Sequence, residues 1–355
     1  MKILIEDDRS LRLLQVVLDP AVDPQRRMAF ADYIRHDISL GEAIAALKVQ
    51  APSLFPADVV LVRDQGDLQA AIGDAAVVIA ESLEITSANI AAAPRLRAVV
   101  KFGALPDGID TDACHARGIH VIMQRRRTNI AVAEHAMAML MALAKQLPRI
   151  NGLVTPGRLA KDHPPLAPYD TRHTPNANWG RIGGLRLLSD MTLGILGMGE
   201  IGSEMARMAR ACGMSVLYNR RIQLSPEIED QRGIAFRDLE SLLRESDALS
   251  IHLPMNDGTR GLVDARRLAL MKPGALLVNT ARAEIVDRQA LIDALDRGHL
   301  AGAGLDVLHS EPADENDPLL DRPNVILTPH LAGGSRINRF RDFAEMLSGI
   351  EAALR

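Results

Sequence analysis

Residues 193–214 read LGILGMGEIGSEMARMARACGM. Apolar residues typical of a buried strand lead into the motif GMGEIG at 197–202, and a helical pattern follows it. Glycines spaced G-x-G-x-x-G between a strand and a helix are the pattern of a dinucleotide-binding turn. Gly197 permits the tight turn, Gly199 lets the backbone approach a pyrophosphate, and Gly202 lets the helix pack on the strand. Because a helix N-terminus also presents unpaired N–H groups, the stretch predicts a dinucleotide site in a parallel α/β domain.

The end of the next strand distinguishes between the two nicotinamide dinucleotides. The strand reads SVLY at 215–218 and is followed by Asn219, Arg220 and Arg221, with no carboxylate. An NAD site usually has an acidic residue here to hold the ribose hydroxyls, and an acid would repel a 2'-phosphate. Two guanidiniums and an amide can hold that phosphate, so the sequence favours NADP, with NAD possible and an exposed basic turn as the alternative. The cofactor-binding residues predicted in this region are Gly197, Gly199, Glu200, Ile201, Gly202, Asn219, Arg220 and Arg221.

The rest of the chain alternates short apolar runs with helical segments, which is typical of parallel α/β units. A length of 355 residues indicates two domains. A buried helix is predicted at 131–144, where the sequence is AVAEHAMAMLMALA. The first half predicts strands at 2–5, 59–62, 76–80, 98–101 and 120–123. The second half predicts strands at 192–196, 215–218, 248–252, 275–279, 304–307 and 325–328.

Two segments interrupt this alternation. Residues 8–58 separate the first two strands and contain helical patterns such as LGEAIAALKVQ, so we predict an insertion with its own helices. Residues 156–186 form a polar, proline-bearing connector. A connector of this length is either a surface excursion, which is the simpler interpretation, or a flap near an interdomain cleft.

Charge and composition argue against several classes of protein. The net charge is −4 and the basic residues are spread along the chain, so nucleic acid is not an expected partner. Two cysteines, Cys114 and Cys212, have no metal-ligand spacing, so we expect neither a disulfide framework nor a metal site. The N-terminal sequence MKILIEDDRS does not resemble a signal peptide, and the longest apolar stretch is too short to cross a bilayer. We therefore expect a soluble cytoplasmic protein without membrane contact.

Three further segments each combine an apolar strand with one ionisable residue on the loop after it. Arg282, Glu311 and His330 follow strands in the sequences LLVNTARAEIVD, GAGLDVLHSEP and NVILTPHLAGGS. Because the carboxyl ends of strands in a doubly wound sheet converge on the ligand crevice, these three side chains can meet. Histidine exchanges a proton near neutral pH, a neighbouring carboxylate orients it, and arginine can pair bidentately with a carboxylate. We interpret the three as candidate catalytic residues.

These segments, the glycine turn and KFGALPDGID at 101–110 resemble the D-isomer-specific 2-hydroxyacid dehydrogenases, which include phosphoglycerate dehydrogenase and the glyoxylate/hydroxypyruvate reductases. The resemblance implies a Rossmann dinucleotide-binding domain at 129–334 and a flavodoxin-like α/β substrate domain at 1–128 and 335–355. It also implies hydride transfer between NADPH and a small 2-oxo acid such as glyoxylate or hydroxypyruvate. By the same analogy we expect a homodimer.

The resemblance implies a role for each matching residue. Arg282 matches the arginine that binds the substrate carboxylate, His330 the proton donor to the carbonyl oxygen, and Glu311 its carboxylate partner. Asp306 matches the residue that holds the nicotinamide amide. Gly103 and Ala104 match the loop whose backbone N–H groups bind the substrate carboxylate. The other cofactor-binding matches are Pro254, Thr280, Ala281 and Gly333.

The sequence also departs from the family pattern and leaves alternatives open. Ala283 replaces a common glycine, and Arg125, Arg126 and Arg127 make a usually small and polar loop strongly basic. Two interpretations of this arginine run stay open. Either one of the arginines recognises a second acidic group of the substrate, or the run is an exposed basic turn. Formate dehydrogenases of this fold have Gln where Glu311 stands, which argues against that branch. A phosphite-type dehydrogenase and a nucleotide-sensing, corepressor-like binding protein stay open as alternatives.

Overall fold

The computed structural model describes residues 1–160, 172–173, 177–334 and 336–355. The connector at 156–186 therefore lies partly outside the described residues, and so does any flap that it forms. The chain divides into two compact units. Unit 1 comprises Met1–Asn129 and Gly334–Arg355, and unit 2 comprises Ile130–Gly333. None of the described helices is both long enough and apolar enough to span a membrane.

In the described part of unit 1, five parallel strands form a sheet in the order β2-β1-β3-β4-β5. This is the flavodoxin-like order of a doubly wound sheet. All four residues of β3 are buried, as expected for a strand that helices cover on both faces. The strands are β1 Lys2–Glu6, β2 Asp58–Val62, β3 Val77–Ala80, β4 Ala98–Lys101 and β5 His120–Met123.

In the described part of unit 2, seven parallel strands have the order β12-β11-β10-β9-β6-β7-β8. The chain runs outward in one direction from β6 to β8 and in the other from β9 to β12. The strand order reverses between β6 and β9, which is where a Rossmann sheet binds its ligand. The strands are β6 Thr192–Leu196, β7 Ser215–Asn219, β8 Ile234–Phe236, β9 Ala248–Ile251, β10 Ala275–Asn279, β11 Leu300–Leu305 and β12 Val325–Leu327. The two parallel sheets confirm the predicted fold class.

Helices follow most of these strands, and α7 contains the buried helix predicted at 131–144. Those of the first half are α1 Leu13–Leu18, α2 Pro24–Ile34, α3 Leu40–Gln50, α4 Gln65–Ala71, α5 Ser87–Ala92, α6 Thr111–Ala116 and α7 Arg127–Ala144. The others are α8 Leu147–Ile150, α9 Pro156–Leu159, α10 Glu200–Ala211, α11 Pro226–Arg232, α12 Leu239–Glu245, α13 Ala265–Leu268, α14 Arg288–Asp296 and α15 Ile337–Leu354.

The insertion between β1 and β2 is helical, as predicted, and it completes the core of unit 1. A capping box of Ser39 and Glu42 begins α3, because each side chain accepts from the backbone N–H of the other. The apolar faces of α2 and α3 pack with α15 in one buried cluster. Within it the rings of Phe30 and Phe340 stack with their centroids 5.5 Å apart. Burial of several large side chains stabilises unit 1 through the hydrophobic effect.

Two strands of unit 2 differ from the prediction. β11 begins at Leu300, four residues before the predicted start at 304. The prediction started too late because the glycines and alanines of this strand lack the β-branched side chains that indicate a strand. Packing demands this composition, since a Cβ on Gly302 would lie 2.6 Å from the carbonyl oxygen of Asn324. β8 was not predicted at all. It is a three-residue edge strand with one buried side chain, too short to show an alternating pattern.

Candidate active site

The glycine turn joins β6 to α10 in unit 2. Gly197 has φ +103°, and a Cβ there would lie 2.7 Å from the carbonyl oxygen of His252. A Cβ on Gly202 would collide with the carbonyl oxygen of Gly197, so the close contact of helix and strand requires glycine. A Cβ on Gly199 would have no atom within 4 Å among the described residues. Gly199 is the N-cap of α10, so the open side of the turn lies where the helix presents its N–H groups.

Glu200 and Ile201 begin α10 directly after this turn. Ile201 is partly buried and packs on the core of unit 2, which fixes the first turn of the helix. The predicted phosphate-binding residues from Gly197 to Gly202 are thus contiguous at the switch point of the sheet.

Two buried polar atoms lie at the ends of neighbouring strands. Within the described residues, neither Thr280 Oγ1, after β10, nor His252 Nδ1, after β9, has a hydrogen-bond partner. The other ring nitrogen of His252 lies 2.8 Å from Ser250 Oγ, and burial lowers the pKa of His252 to about 4. Buried polar groups without a partner are rare in proteins, so these two fit the edge of a site that a polar cofactor fills.

The other predicted cofactor loops follow the same strands. Pro254 lies after β9, and its carbonyl oxygen accepts a hydrogen bond of 2.8 Å from Thr259 Oγ1. Ala281 follows β10, and its backbone N–H donates to Asn279 Oδ1 over 3.0 Å. With the open turn and the two partnerless atoms, these loops surround the switch point with residues that suit a nicotinamide dinucleotide.

The end of β7 carries the residues predicted to select NADP. Asn219 is the last residue of the strand, and its Nδ2 donates to the carbonyl oxygen of Arg237 over 2.8 Å. Arg220 is half-buried and Arg221 is exposed. Among the described residues, neither guanidinium has a hydrogen bond or an ion pair with another group of the protein. Both are therefore available to an anionic ligand at this strand end.

The structure brings Glu311 and His330 together. A hydrogen bond of 2.7 Å joins Glu311 Oε2 to His330 Nδ1. Glu311 Oε1 also accepts from the backbone N–H of Leu308 over 3.0 Å. Partial burial opposes ionisation of Glu311, but the hydrogen bonds from His330 and Leu308 and the charge of Arg282 outweigh it and lower the pKa of this carboxyl.

Arg282 lies on the loop after β10, at the same sheet edge as the Glu311–His330 pair. Its Nη1 donates to the carbonyl oxygen of Ala281 over 2.6 Å, and the rest of the side chain is exposed. The carbonyl oxygen of Arg282 accepts from Asn279 Nδ2 over 2.9 Å, which fixes the turn out of the strand. A cation, a histidine and a carboxylate therefore lie together on the strand-end side of unit 2.

Asp306 is buried, and its carboxylate organises the loop of the candidate catalytic histidine. Oδ1 accepts from Thr328 Oγ1 at 2.6 Å and from Leu331 N at 2.9 Å, and Oδ2 accepts from Ala332 N at 2.8 Å. Between these anchors His330 has φ +52°, a left-handed conformation that is costly for histidine. The resemblance suggested only a contact of Asp306 with nicotinamide, whereas the structure shows it holding the backbone on the C-terminal side of His330.

A histidine of α7 extends this network. His135 Nε2 lies 3.0 Å from Thr328 Oγ1, and because that hydroxyl donates to Asp306, the histidine must donate to the hydroxyl. The sequence did not predict this link between His135 and Thr328. The signal that could have found it is the threonine two residues before His330, a side chain able to accept and donate at once. Gly333 follows Ala332, the last anchor of this loop.

The predicted substrate loop belongs to unit 1. Gly103 is buried after β4, and its carbonyl oxygen accepts from the N–H of Gln124 over 3.0 Å. Ala104 follows it and is half-buried. This pairing joins the loop after β4 to the segment after β5, where the arginine run begins.

Two arginines of that run serve unit 1 itself. Arg127 pairs with Glu345 and with the buried Asp342 of α15, at 2.7 and 3.0 Å. Burial raises the pKa of Asp342, although Arg127 opposes the rise. Arg126 pairs with Glu81 and lies over the ring of Phe102, 5.1 Å from its centroid. The basic run is thus partly a structural device and not simply an exposed turn.

Comparison with known proteins decides the family. The sequence profile described as "D-isomer specific 2-hydroxyacid dehydrogenase, NAD binding domain" matches residues 137–332, which is more than half of the chain and lies within unit 2. The chain belongs to the D-isomer specific 2-hydroxyacid dehydrogenases.

Relatives of this dehydrogenase include enzymes with different substrates. A glyoxylate reductase of Aeropyrum pernix is 40% identical over 252 residues, 70% of each chain. A D-3-phosphoglycerate dehydrogenase of Mycobacterium bovis is 34% identical over 82% of this chain and 51% of that one. The D-lactate dehydrogenase of Aquifex aeolicus, solved with NAD and lactic acid, matches 99% of this chain and 95% of that chain with a TM-score of 0.52 and 26% identity. The protein is thus a nicotinamide-dependent oxidoreductase that acts on the CH–OH group of a hydroxy acid.

Proposed function

We propose that this dehydrogenase is an NADPH-preferring reductase of small 2-oxo acids such as glyoxylate or hydroxypyruvate, with Arg282, Glu311 and His330 as its catalytic residues. The hydrogen bond of 2.7 Å between His330 and Glu311 carries the proposal. It joins a proton-exchanging group to a carboxylate with a lowered pKa, on the strand-end side of a sheet that carries a dinucleotide turn.

The proposed chemistry follows from the charges of these three side chains. Arg282 pairs with the substrate carboxylate and orients the adjacent carbonyl. His330 uses Nδ1 to bind Glu311, which leaves Nε2 to deliver a proton to the carbonyl oxygen as negative charge develops there. Glu311 stabilises the imidazolium and fixes the ring. The bound nicotinamide nucleotide supplies the hydride to the carbonyl carbon.

The cofactor-binding residues are proposed on the same grounds. Gly197, Gly199, Glu200, Ile201 and Gly202 hold the pyrophosphate, and Asn219, Arg220 and Arg221 hold the adenosine ribose and its 2'-phosphate. Two guanidiniums without a protein partner in the described residues, and no carboxylate beside them at the strand end, support NADP over NAD. The remaining cofactor contacts are assigned to Pro254, Thr280, Ala281, Asp306 and Gly333.

Unit 1 is proposed to be the substrate domain, with the backbone N–H groups of Gly103 and Ala104 binding the substrate carboxylate. Unit 2 is proposed to be the cofactor domain. A homodimer in the cytoplasm is expected by analogy with the family. Size-exclusion chromatography with light scattering checks the dimer, and a monomer at micromolar concentration would contradict it.

A panel of 2-oxo acids assayed with both cofactors tests the activity. We expect consumption of NADPH with glyoxylate or hydroxypyruvate, and kcat/KM at least tenfold lower with NADH. The double variant with both Arg220→Ala and Arg221→Ala should lose most of this preference for NADPH while keeping kcat. Tight NADPH binding without turnover of any acid contradicts the proposed reaction, and equal efficiency with the two cofactors contradicts the proposed preference.

A further inference from the structure

A hydrogen-bonded network lies directly behind the two arginines at the end of β7. Tyr218 precedes Asn219 in the strand, and its hydroxyl donates to Glu229 Oε1 of α11 over 2.6 Å. The same hydroxyl accepts from the backbone N–H of Leu224 over 2.9 Å. Gln223 Nε2 donates to Glu229 Oε1 over 3.0 Å. The strand, the loop after it and the next helix are therefore tied together at one hydroxyl and one carboxylate.

Tyr218 anchors this network in the core. Tyr218 is fully buried, and its ring packs edge-on against Phe236 with 5.7 Å between centroids. Burial and the neighbouring carboxylate of Glu229 raise the pKa of Tyr218 to about 12. The hydrogen bonds from Tyr218 and Gln223 lower the pKa of Glu229. A protonated donor therefore faces an ionised acceptor across the physiological pH range, which gives a strong, charge-assisted bond.

The loop between the strand and the helix consists of residues 220–225, with Arg220 and Arg221 at its start. A free loop with two long side chains would lose much conformational entropy on binding a phosphate. Two hydrogen bonds restrain the far end of this loop before any ligand binds. Leu224 N–H donates to the hydroxyl of Tyr218, and Gln223 donates to Glu229. A restrained loop holds the two guanidiniums near one strand end at lower entropic cost.

We propose that Tyr218 and Glu229 are positioning residues that set the cofactor preference by holding the arginine loop over the 2'-phosphate. This inference rests on the proposed preference for NADPH. In this proposal both side chains act through Arg220 and Arg221 and not by direct contact with the phosphate. NAD lacks the 2'-phosphate, so its binding is independent of the network.

Equilibrium titration of the full chain with NADP⁺ and with NAD⁺ by isothermal calorimetry tests the proposal. The variant Tyr218→Phe keeps the ring and its packing but removes the hydroxyl. Loss of these bonds should weaken NADP⁺ binding about threefold to tenfold, the range that corresponds to the net contribution of a hydrogen bond. The Kd for NAD⁺ should stay within about twofold.

Glu229→Gln is the second variant, and Glu227→Gln in the same helix is its matched control. Glu227 is exposed, and its hydrogen bond goes to Ser225, the N-cap of α11, rather than to Tyr218. Removing a negative charge should by itself tighten NADP⁺ binding slightly in both variants. We expect Glu227→Gln to follow this trend. Glu229→Gln should instead weaken NADP⁺ binding, because a neutral amide oxygen accepts from Tyr218 and Gln223 more weakly than the carboxylate and restrains the loop less.

The outcomes separate this inference from the proposed function. A wild-type chain that binds both cofactors equally overturns the NADPH preference and the inference with it. A second outcome is that the wild type prefers NADP⁺ and Arg220→Ala weakens NADP⁺ binding, but Tyr218→Phe and Glu229→Gln bind NADP⁺ like the wild type. In that case the preference for NADPH stands and the positioning role is wrong. An equal loss of NADP⁺ and NAD⁺ affinity in Tyr218→Phe would also overturn the role, because it indicates general damage to the domain.

Discussion

His330 Nδ1 and Glu311 Oε2 lie 2.7 Å apart, although the two residues are 19 positions apart in sequence, with an edge strand between them. The bond commits one ring nitrogen of the histidine to the carboxylate and leaves the other for the substrate. Because the carboxyl of Glu311 has a lowered pKa, it is ionised whenever the enzyme is near neutral pH.

Glu311→Gln should therefore reduce activity without unfolding the protein. The amide oxygen can still accept from Nδ1, but it supplies no charge to stabilise the imidazolium. We expect kcat for reduction to fall about tenfold to a hundredfold. A steady-state assay of reduction measures kcat, and a wild-type kcat in the variant would refute the role of Glu311.

Arg282→Lys tests substrate binding. Lysine keeps the positive charge but cannot pair bidentately with a carboxylate. KM for the 2-oxo acid should rise about tenfold or more, while the Kd for the cofactor stays close to that of the wild type. Arg260→Lys, a change of an exposed arginine in the same unit, is the control and should leave both constants unchanged. A larger effect on cofactor binding than on KM would show that Arg282 serves the nucleotide instead.

Asp306→Asn should damage both stability and catalysis. The carboxylate accepts three hydrogen bonds, and an amide nitrogen at either oxygen position would face a donor that it cannot satisfy. We expect the free energy of unfolding to fall by about 2–3 kcal/mol. At temperatures where the variant is folded, kcat should still fall, because the strained backbone of His330 is no longer held. Thr328→Ser keeps the hydroxyl and should be nearly neutral, so a large loss there would point to packing rather than hydrogen bonding.

Two alanine substitutions in the glycine turn should separate folding from cofactor binding. In Gly202→Ala the new methyl group collides with the backbone of the turn, and overpacking of this kind costs about 1–3 kcal/mol. In Gly199→Ala the methyl group meets no atom of the described residues within 4 Å, so Tm should change little. Its cofactor Kd should nevertheless rise about tenfold, because the methyl group occupies the open side of the turn. Unchanged cofactor affinity in Gly199→Ala would exclude this face as the phosphate site.

His252 predicts a dependence of stability on pH. Burial lowers its pKa to about 4, below the value of about 6.5 in an unfolded chain. The unfolded state therefore binds the proton first as the pH falls. The contribution of His252 to stability is complete above about pH 6.5, declines towards pH 4 and is then level, with a total change of roughly 3 kcal/mol.

Urea unfolding of the wild type and of His252→Gln at pH 7.5 and pH 4.5 measures this effect. The variant should lose less stability than the wild type between the two pH values. His309→Gln, which changes an exposed histidine of the same unit, should behave like the wild type. Parallel losses in the wild type and His252→Gln would assign the acid sensitivity to other groups.

Local sequence patterns predicted most strands of the unit 2 sheet because these strands are buried on both faces. β10, with the sequence ALLVN, is recognisable as a strand without knowledge of its neighbours. β11 is different, since Gly302 and Gly304 are explained only by contacts with Asn324 and Met139, far away in sequence. Short edge strands such as β8 give too few residues for a periodic signal.

The candidate site shows the same limit. Strand-end loops predicted that Arg282, Glu311 and His330 could meet, because parallel strands present their carboxyl ends on one side. The bonds of Asp306 to Thr328, Leu331 and Ala332 depend on backbone conformation that no local pattern encodes. The sequence did not predict the hydrogen bonds of Tyr218 with Leu224 and Glu229 for the same reason. The catalytic and cofactor roles themselves stay predictions until the substitutions above are made.

The position of α15 has a consequence for synthesis on the ribosome. Its Phe343, Met346 and Ile350 belong to the buried core of unit 1, and its Asp342 binds Arg127. These residues are translated only after the whole of unit 2. Unit 2 can therefore begin to fold while the chain is still being made, whereas the apolar residues of α2 and α3 lack their packing partners on α15 until that helix emerges. During that interval these uncovered residues of unit 1 favour aggregation of the nascent chain.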